Sequence, residues 1–74
     1  MTDGVYRVSE IVGSSPAGVT EAIQVAATRA ALTLRHLDWF EVTDIRGHFD
    51  NGAIAHYQVT LKVGFRLDDS ADTP

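Results

Sequence analysis

Trp39, the single tryptophan of the 74-residue chain, is the residue whose type and position most favour a binding function. It begins a predicted strand, in which two-residue alternation places it beside Glu41 and Thr43. The apolar Phe40 and Val42 fall on the opposite face. A tryptophan on a polar face serves either as an anchor at a protein interface or as a platform for a flat ligand. Spacing alone leaves both roles open and favours the interface anchor.

Three further side chains are candidates for a ligand site that includes Trp39. Gln58 lies on the polar side of another predicted strand, and its amide offers a donor and an acceptor to an amide-like ligand edge. Arg46 and Arg66 are suited to a carboxyl, ribityl or phosphate group. Spacing alone does not select the ligand.

Residues suited to catalysis or metal binding lack the required spacing. The chain has no cysteine, and no serine stands in the G-x-S-x-G arrangement of a nucleophile elbow. Residues 13–18 contain glycines but lack the Lys-Ser/Thr ending of a phosphate-binding loop. His36, His48 and His56 do not share metal-ligand spacing on one element. We therefore predict a protein that is not an enzyme and holds no metal.

Two alternatives to a ligand-binding protein stay open at this point. The main one is a cofactor-independent enzyme of the small α+β oligomer type, with His48, His56 or Glu41 as general base. The second is a purely structural homo-oligomer in which Trp39 anchors an interface.

Four secondary-structure elements must position these residues, in the order β-α-β-β. We predict a first strand at residues 5–12, a helix at 16–36, a second strand at 39–49 and a third strand at 53–67. Asn51-Gly52 between the last two strands is a strong hairpin signal. The order and the hairpin predict an α+β fold.

The predicted helix has a start, an end and one apolar side. Ser15 is predicted to cap it, Pro16 to be its first residue and His36 to close it, where a cation suits the helix dipole. Its apolar stripe consists of Val19, Ile23, Ala26, Ala27, Ala30, Leu34 and Leu37. A mixed flank, predicted to meet a neighbouring subunit, consists of Val25, Arg29 and Leu32.

The third strand has the clearest alternation in the chain. Its apolar side, predicted to meet the helix, consists of Tyr57, Val59, Leu61, Val63, Phe65 and Leu67. Its polar side consists of Gln58, Thr60, Lys62, Gly64 and Arg66. In the second strand, alternation predicts that Ile45 lies on the same side as Trp39.

This third strand is too long for a single copy of the chain. About 15 residues at about 3.3 Å each span about 50 Å, whereas a compact chain of this length has a diameter of about 30 Å. Because cysteine is absent, disulfides cannot supply the stability that so small a domain needs. We therefore predict a homo-oligomer.

Composition limits the partners and the compartment. The net charge of −4 speaks against binding to a nucleic-acid backbone, and no run approaches the roughly 20 apolar residues of a membrane span. The first residues lack the pattern of a signal peptide, so we expect a cytoplasmic location and no membrane partner. Residues 1–67 are predicted to form one domain, and residues 68–74 an acidic, flexible tail.

The chain resembles the dodecin family of flavin-binding proteins in three segments, VYRVSEIVGSSPAGVTEAI, LRHLDWFEVTDIRGH and AHYQVTLKVGFRL. They run from residue 5 to residue 67, in order and with matching element lengths. The combination of LDWFEV with a downstream YQV and VGFRL is specific to this pattern. The resemblance implies a three-stranded antiparallel sheet partly wrapping one helix, assembled as a hollow homododecamer.

The resemblance also implies a ligand and a role for the candidate residues. Flavins would stack in pairs at two-fold axes, between symmetry-related copies of Trp39. Gln58 would meet the polar edge of the isoalloxazine ring, and Arg46, at the position typical of bacterial members, would lie near the flavin, with Arg66 as a second cationic candidate. The implied function is storage, buffering and photoprotection of riboflavin or FMN. Some bacterial relatives also bind coenzyme A, for which no residue of this chain is assigned.

Overall fold

The β-α-β-β order predicted from the sequence is confirmed in the computed structural model, which describes residues 3–67. Strand β1 spans Tyr6–Ser15, helix α1 spans Val19–Thr33, β2 spans Leu37–Asp50 and β3 spans Ala53–Arg66. The strands form one antiparallel sheet in the order β1-β3-β2. The acidic tail predicted at residues 68–74 lies outside the described residues.

The apolar side of β3, at the centre of the sheet, forms the middle of the core. Val59, Leu61 and Val63 are buried and pack with Ala22 and Ala26 of α1. Removing a valine or leucine side chain from water stabilises a fold by about 1.5–3 kcal/mol. The alternation predicted for the third strand, with this side facing the helix, is confirmed.

Small residues bring α1 close to the sheet. The buried helix residues are all alanines, namely Ala22, Ala26 and Ala30, of which Ala22 was not in the predicted stripe. A Cβ at Gly13 of β1 would overlap the Ala22 carbonyl oxygen and lie 2.8 Å from the Ala26 Cβ. Gly13 therefore permits close packing and does not break the strand. The predicted end of the first strand at residue 12 is wrong for this reason.

The helix begins three residues later than predicted. Gly18 precedes its first residue, and Ser15 is instead the last residue of β1, where it pairs with Tyr57. The Ser15 Oγ accepts a hydrogen bond from the Ala17 N–H at 3.0 Å, so it closes the turn before the helix. The predictions of Ser15 as helix cap and Pro16 as first helical residue are wrong, because strand pairing holds Ser15 in the sheet.

The helix also ends earlier than predicted. Leu34 is extended (φ −108°, ψ 134°), and its N–H makes the last helical hydrogen bond, to the Ala30 carbonyl at 2.8 Å. His36 has φ 61° and lies in the turn to β2, where its carbonyl accepts the Arg66 N–H at 3.1 Å. The prediction that His36 closes the helix is wrong. Leu37, predicted for the helix stripe, is the first residue of β2.

A β-bulge in β2 changes which side its later residues face. Thr43 is the extra residue, between the pairs made by Val42 and Asp44. Since alternation has a period of two, one extra residue exchanges the two sides of the sheet beyond it. Ile45 therefore pairs with Val59 on the helix side, and the prediction that it lies with Trp39 is wrong.

The β2–β3 hairpin makes the molecule long. Its two-residue turn has positive φ at Asn51 (53°) and Gly52 (79°), as the predicted Asn-Gly hairpin requires. The molecule measures 56 × 20 × 16 Å, so its longest dimension exceeds the diameter of about 30 Å expected for a compact chain. Phe49, near the tip of the hairpin, is 79% exposed. The predicted overhang of the third strand is confirmed.

Candidate functional site

The outer face, by which we mean the side of the sheet turned away from α1, carries all four predicted binding residues. Trp39 pairs with Gly64 across β2 and β3, and Arg46 pairs with Gln58. Paired residues of antiparallel strands share a side. Arg66 lies two residues beyond Gly64 on β3 and therefore shares that side as well.

One end of the outer face, the aromatic end, is built around Trp39 and Gly64. Gly64 is buried, and Trp39 is 42% exposed. A Cβ at Gly64 would overlap the Trp39 ring atoms Cε2 and Cζ2 and lie 2.6 Å from Nε1. The indole therefore lies across Gly64 on the sheet, while much of its surface remains open to a ligand.

Contacts beside Trp39 join β1 to the start of β2. The Tyr6 hydroxyl hydrogen-bonds to the Asp38 carboxylate, which raises the pKa of the phenol above its ordinary value. The negative charge of Asp38 adds to this increase, while the nearby Arg66 opposes it. Asp38 is the extra residue of a second bulge, directly before Trp39. Neither Tyr6 nor Asp38 was predicted, because a bulge contact across strands has no signature in local sequence.

The polar end of the outer face is built around Gln58 and Arg46. His48 Nε2 lies 3.1 Å from Gln58 Oε1, and because a carbonyl oxygen only accepts, the ring nitrogen donates. Arg46 binds Asp44 through Nη2 at 2.7 Å and Nε at 3.1 Å, both to Oδ2. The Arg46–Asp44 pair is exposed, so it contributes about 0–1 kcal/mol to stability.

The Thr43 bulge is what brings Arg46 to the polar end. Without the extra residue, plain alternation from Trp39 would turn Arg46 toward the helix. The Thr43 hydroxyl donates to the Thr60 carbonyl at 3.3 Å, which binds the bulge to β3. His48 joins the same end and pairs with His56 across the hairpin. The role of His48 beside Gln58 was not predicted from the sequence.

The two ends are far apart within one copy of the chain. Gln58 and Gly64 are separated by six residues of β3, which correspond to about 20 Å of strand. The structure therefore brings Arg46 to Gln58 and places Arg66 near Trp39. It does not bring all four predicted residues into one pocket.

Two features were sought among residues 3–67, a cluster of metal-ligating side chains and a helix of membrane-spanning length. In that range, no three His, Asp or Glu side chains are grouped so that they could hold a metal ion. Across the same residues, no helix is both long enough and apolar enough to cross a membrane.

Comparison with known proteins gives a consistent result. The family model described as Dodecin matches residues 5–68. A dodecin from Thermus thermophilus is 53% identical over 66 residues, which cover 89% of this chain and 96% of the relative. The structure of a dodecin from Streptomyces davaonensis superposes with a TM-score of 0.88 at 57% identity, covering 90% of this chain and 98% of that one. A dodecin from Streptomyces coelicolor matches with the same TM-score and identity, over 92% and 97% of the two chains.

Proposed function

Because the chain belongs to the dodecin family of small, flavin-binding homo-oligomers, we propose that it forms a hollow homododecamer that stacks flavin pairs between copies of Trp39. The proposed ligands are riboflavin and FMN. The proposed role is to store flavin, to buffer its free concentration and to protect it from light. Binding of coenzyme A stays a prediction from the family resemblance.

The observation that carries this proposal is the position of Trp39. Its indole is 42% exposed on the outer face, separate from the core that β3 forms with α1. Stacking of a flat ring on an aromatic side chain stabilises a complex by about 1–3 kcal/mol per ring. An indole held on a sheet in this way suits a planar ligand such as isoalloxazine.

The polar end fits the remaining parts of a flavin. Since Gln58 Oε1 accepts from His48, the Gln58 amide nitrogen is directed to other acceptors, such as the carbonyl oxygens of the pyrimidine ring. Arg46 uses Nε and Nη2 for Asp44, which leaves Nη1 for a ribityl hydroxyl or a phosphate. An uncharged amide and a guanidinium are thus the donors that a flavin's polar edge and chain require.

The separation of the two ends supports a site shared between copies. An isoalloxazine on Trp39 cannot reach Gln58 of the same copy across about 20 Å of strand. We therefore propose that Gln58 of a second copy meets the flavin that stacks on Trp39 of the first. Oligomerisation would then create the site as well as cover the overhanging hairpin.

The proposed chemistry is the deactivation of excited flavin, and no substrate is converted. An indole stacked on an isoalloxazine gives the excited ring a rapid path back to its ground state. Of the general bases in the rival enzyme hypothesis, His48 lies with Nε2 3.1 Å from Gln58 Oε1, where it can orient the amide that we propose for flavin binding.

Flavin fluorescence tests the proposal directly. Riboflavin or FMN is titrated with the wild-type oligomer, and the emission is followed until it saturates. We expect strong quenching that saturates near one flavin per chain, because each flavin of a pair needs one tryptophan. Unchanged emission at micromolar protein would contradict the proposal and favour the enzyme or structural alternatives. Light scattering on the same sample gives the mass of the assembly.

A further inference from the structure

We propose that Gly64 is the positioning residue for Trp39, since its missing side chain leaves the space in which the indole lies. Gly64 thereby sets the height at which a flavin stacks on the sheet. This inference rests on the proposed function and identifies a residue on which its site depends.

The backbone does not require glycine at position 64. Among the described residues, Gly18 and Gly52 are the glycines with positive φ, and Gly64 is not one of them. Gly64 lies near the C-terminal end of the central strand but within its pairing, opposite Val8 on one side and Trp39 on the other. Glycine weakens a strand interior, and in this position it often marks a close approach by another group. Here that group is the indole.

The indole occupies the volume of the missing side chain. A Cβ at Gly64 would overlap Trp39 Cε2 and Cζ2. Carbon atoms in contact prefer separations of about 3.5–4.0 Å, so an alanine would move the ring by about 1 Å or more. A Cβ at Gly13 would instead meet backbone of α1, which cannot yield. At Gly64 the obstacle is an exposed side chain, so the ring moves and the sheet persists.

A displacement of this size matters for a paired stack. Two flavins between two indoles need three contacts of about 3.5 Å, or a gap of about 10 Å. If each indole rises by about 1 Å, the gap narrows by about 2 Å, which is more than half of one contact distance. The pair then no longer fits between the two rings.

The test compares Gly64→Ala with Gly47→Ala. Gly47 lies on the helix side of β2, and a Cβ there would come to 3.2 Å from the His56 carbonyl oxygen, away from Trp39. Because Trp39 is the single tryptophan, its emission and near-ultraviolet circular dichroism report the indole without any ligand. Flavin affinity is measured by fluorescence quenching, and the mass of the assembly by light scattering.

We expect Gly64→Ala to keep the wild-type mass, to change both tryptophan signals and to bind flavin at least about tenfold more weakly. Gly47→Ala should leave the tryptophan signals unchanged. Unchanged tryptophan signals in Gly64→Ala would overturn the inference, and so would unchanged flavin affinity. If wild type itself does not quench flavin, the proposed function fails, and the tryptophan signals still decide whether Gly64 positions the indole.

A second variant keeps the test valid if Gly64→Ala does not fold. The double variant Trp39→Ala, Gly64→Ala removes the ring that the methyl group would meet, so it should fold as stably as Trp39→Ala. A double variant that stays unfolded while Trp39→Ala folds would show that position 64 needs glycine for another reason. That result would overturn the inference.

Discussion

The two ends of the outer face are built by different means. At the aromatic end, one side chain lies in a space left by a missing side chain, and the arrangement depends on shape. At the polar end, exposed groups hold one another through directional hydrogen bonds and an ion pair. The comparison teaches that binding energy should be concentrated at the aromatic end, because stacking survives in water and exposed charge pairs are screened.

Trp39→Ala is expected to have the largest effect on this comparison. It removes the stacking surface, and we expect a loss of about 3 kcal/mol in flavin affinity, the upper end for a flat ring on an aromatic platform. Calorimetric titration measures the loss of affinity, because the variant lacks the indole that quenches the flavin, and light scattering shows whether the oligomer persists. Trp39→Phe is the matched control, and its flavin affinity should lie between those of the wild type and Trp39→Ala. Wild-type flavin affinity in Trp39→Ala would show that the aromatic end does not carry the binding.

Gln58→Ala should have the next largest effect. A buried polar edge of the ligand loses its partner, and we expect a loss of about 2 kcal/mol in affinity for riboflavin and FMN alike. Calorimetric titration of both ligands measures this loss. Equal affinity in the variant would remove Gln58 from the site.

His48→Phe tests whether the amide of Gln58 needs to be oriented. The ring shape is nearly preserved, but the hydrogen bond to Gln58 Oε1 is lost, so the amide becomes free to rotate. We expect about 1 kcal/mol of lost affinity, the net contribution of a typical hydrogen bond. The same substitution in the Gln58→Ala background should have no further effect. An additional loss in that background would mean that His48 touches the ligand itself.

Arg46→Gln should have the smallest effect, and one that depends on the ligand. We expect FMN to bind more weakly by about 0.5–1 kcal/mol at low salt, because its phosphate loses an exposed cation. The difference should fade near 1 M salt, where the Debye length is about 3 Å. Riboflavin, which lacks the phosphate, serves as the control. A salt-independent loss for both ligands would show that Arg46 acts on the fold or on the ring.

The elements with strong periodic patterns could be predicted from the sequence. The alternation of β3 and the Asn51-Gly52 turn are local signals, and both are confirmed. That Trp39 lies on the polar side of its strand could be predicted from the alternation of its neighbours. The family resemblance, confirmed by the comparisons, supplied the three-stranded sheet, and the flavin that it implies stays a proposal.

The features that were missed depend on contacts between elements. Glycine often ends a strand, but Gly13 stays in β1 because its missing side chain lets the strand pack closely against Ala22. Serine is a common residue at helix caps, but pairing with Tyr57 keeps Ser15 in the sheet. Thr43 suits either side of a sheet, so the polarity pattern gives no sign that it forms a bulge. These outcomes are decided by tertiary packing, which a local pattern does not contain.

The Thr43 bulge makes the length of β2 part of the site. A substitution at this position alters one side chain, whereas the deletion of one residue would exchange the two sides of the strand beyond it. Ile45 would then face outward, and Arg46 would turn toward the core. Among descendants of this chain, amino-acid replacements in the polar end can therefore accumulate one at a time. Selection should remove single-residue insertions and deletions between Trp39 and Arg46, because each would disrupt the core and the outer face together.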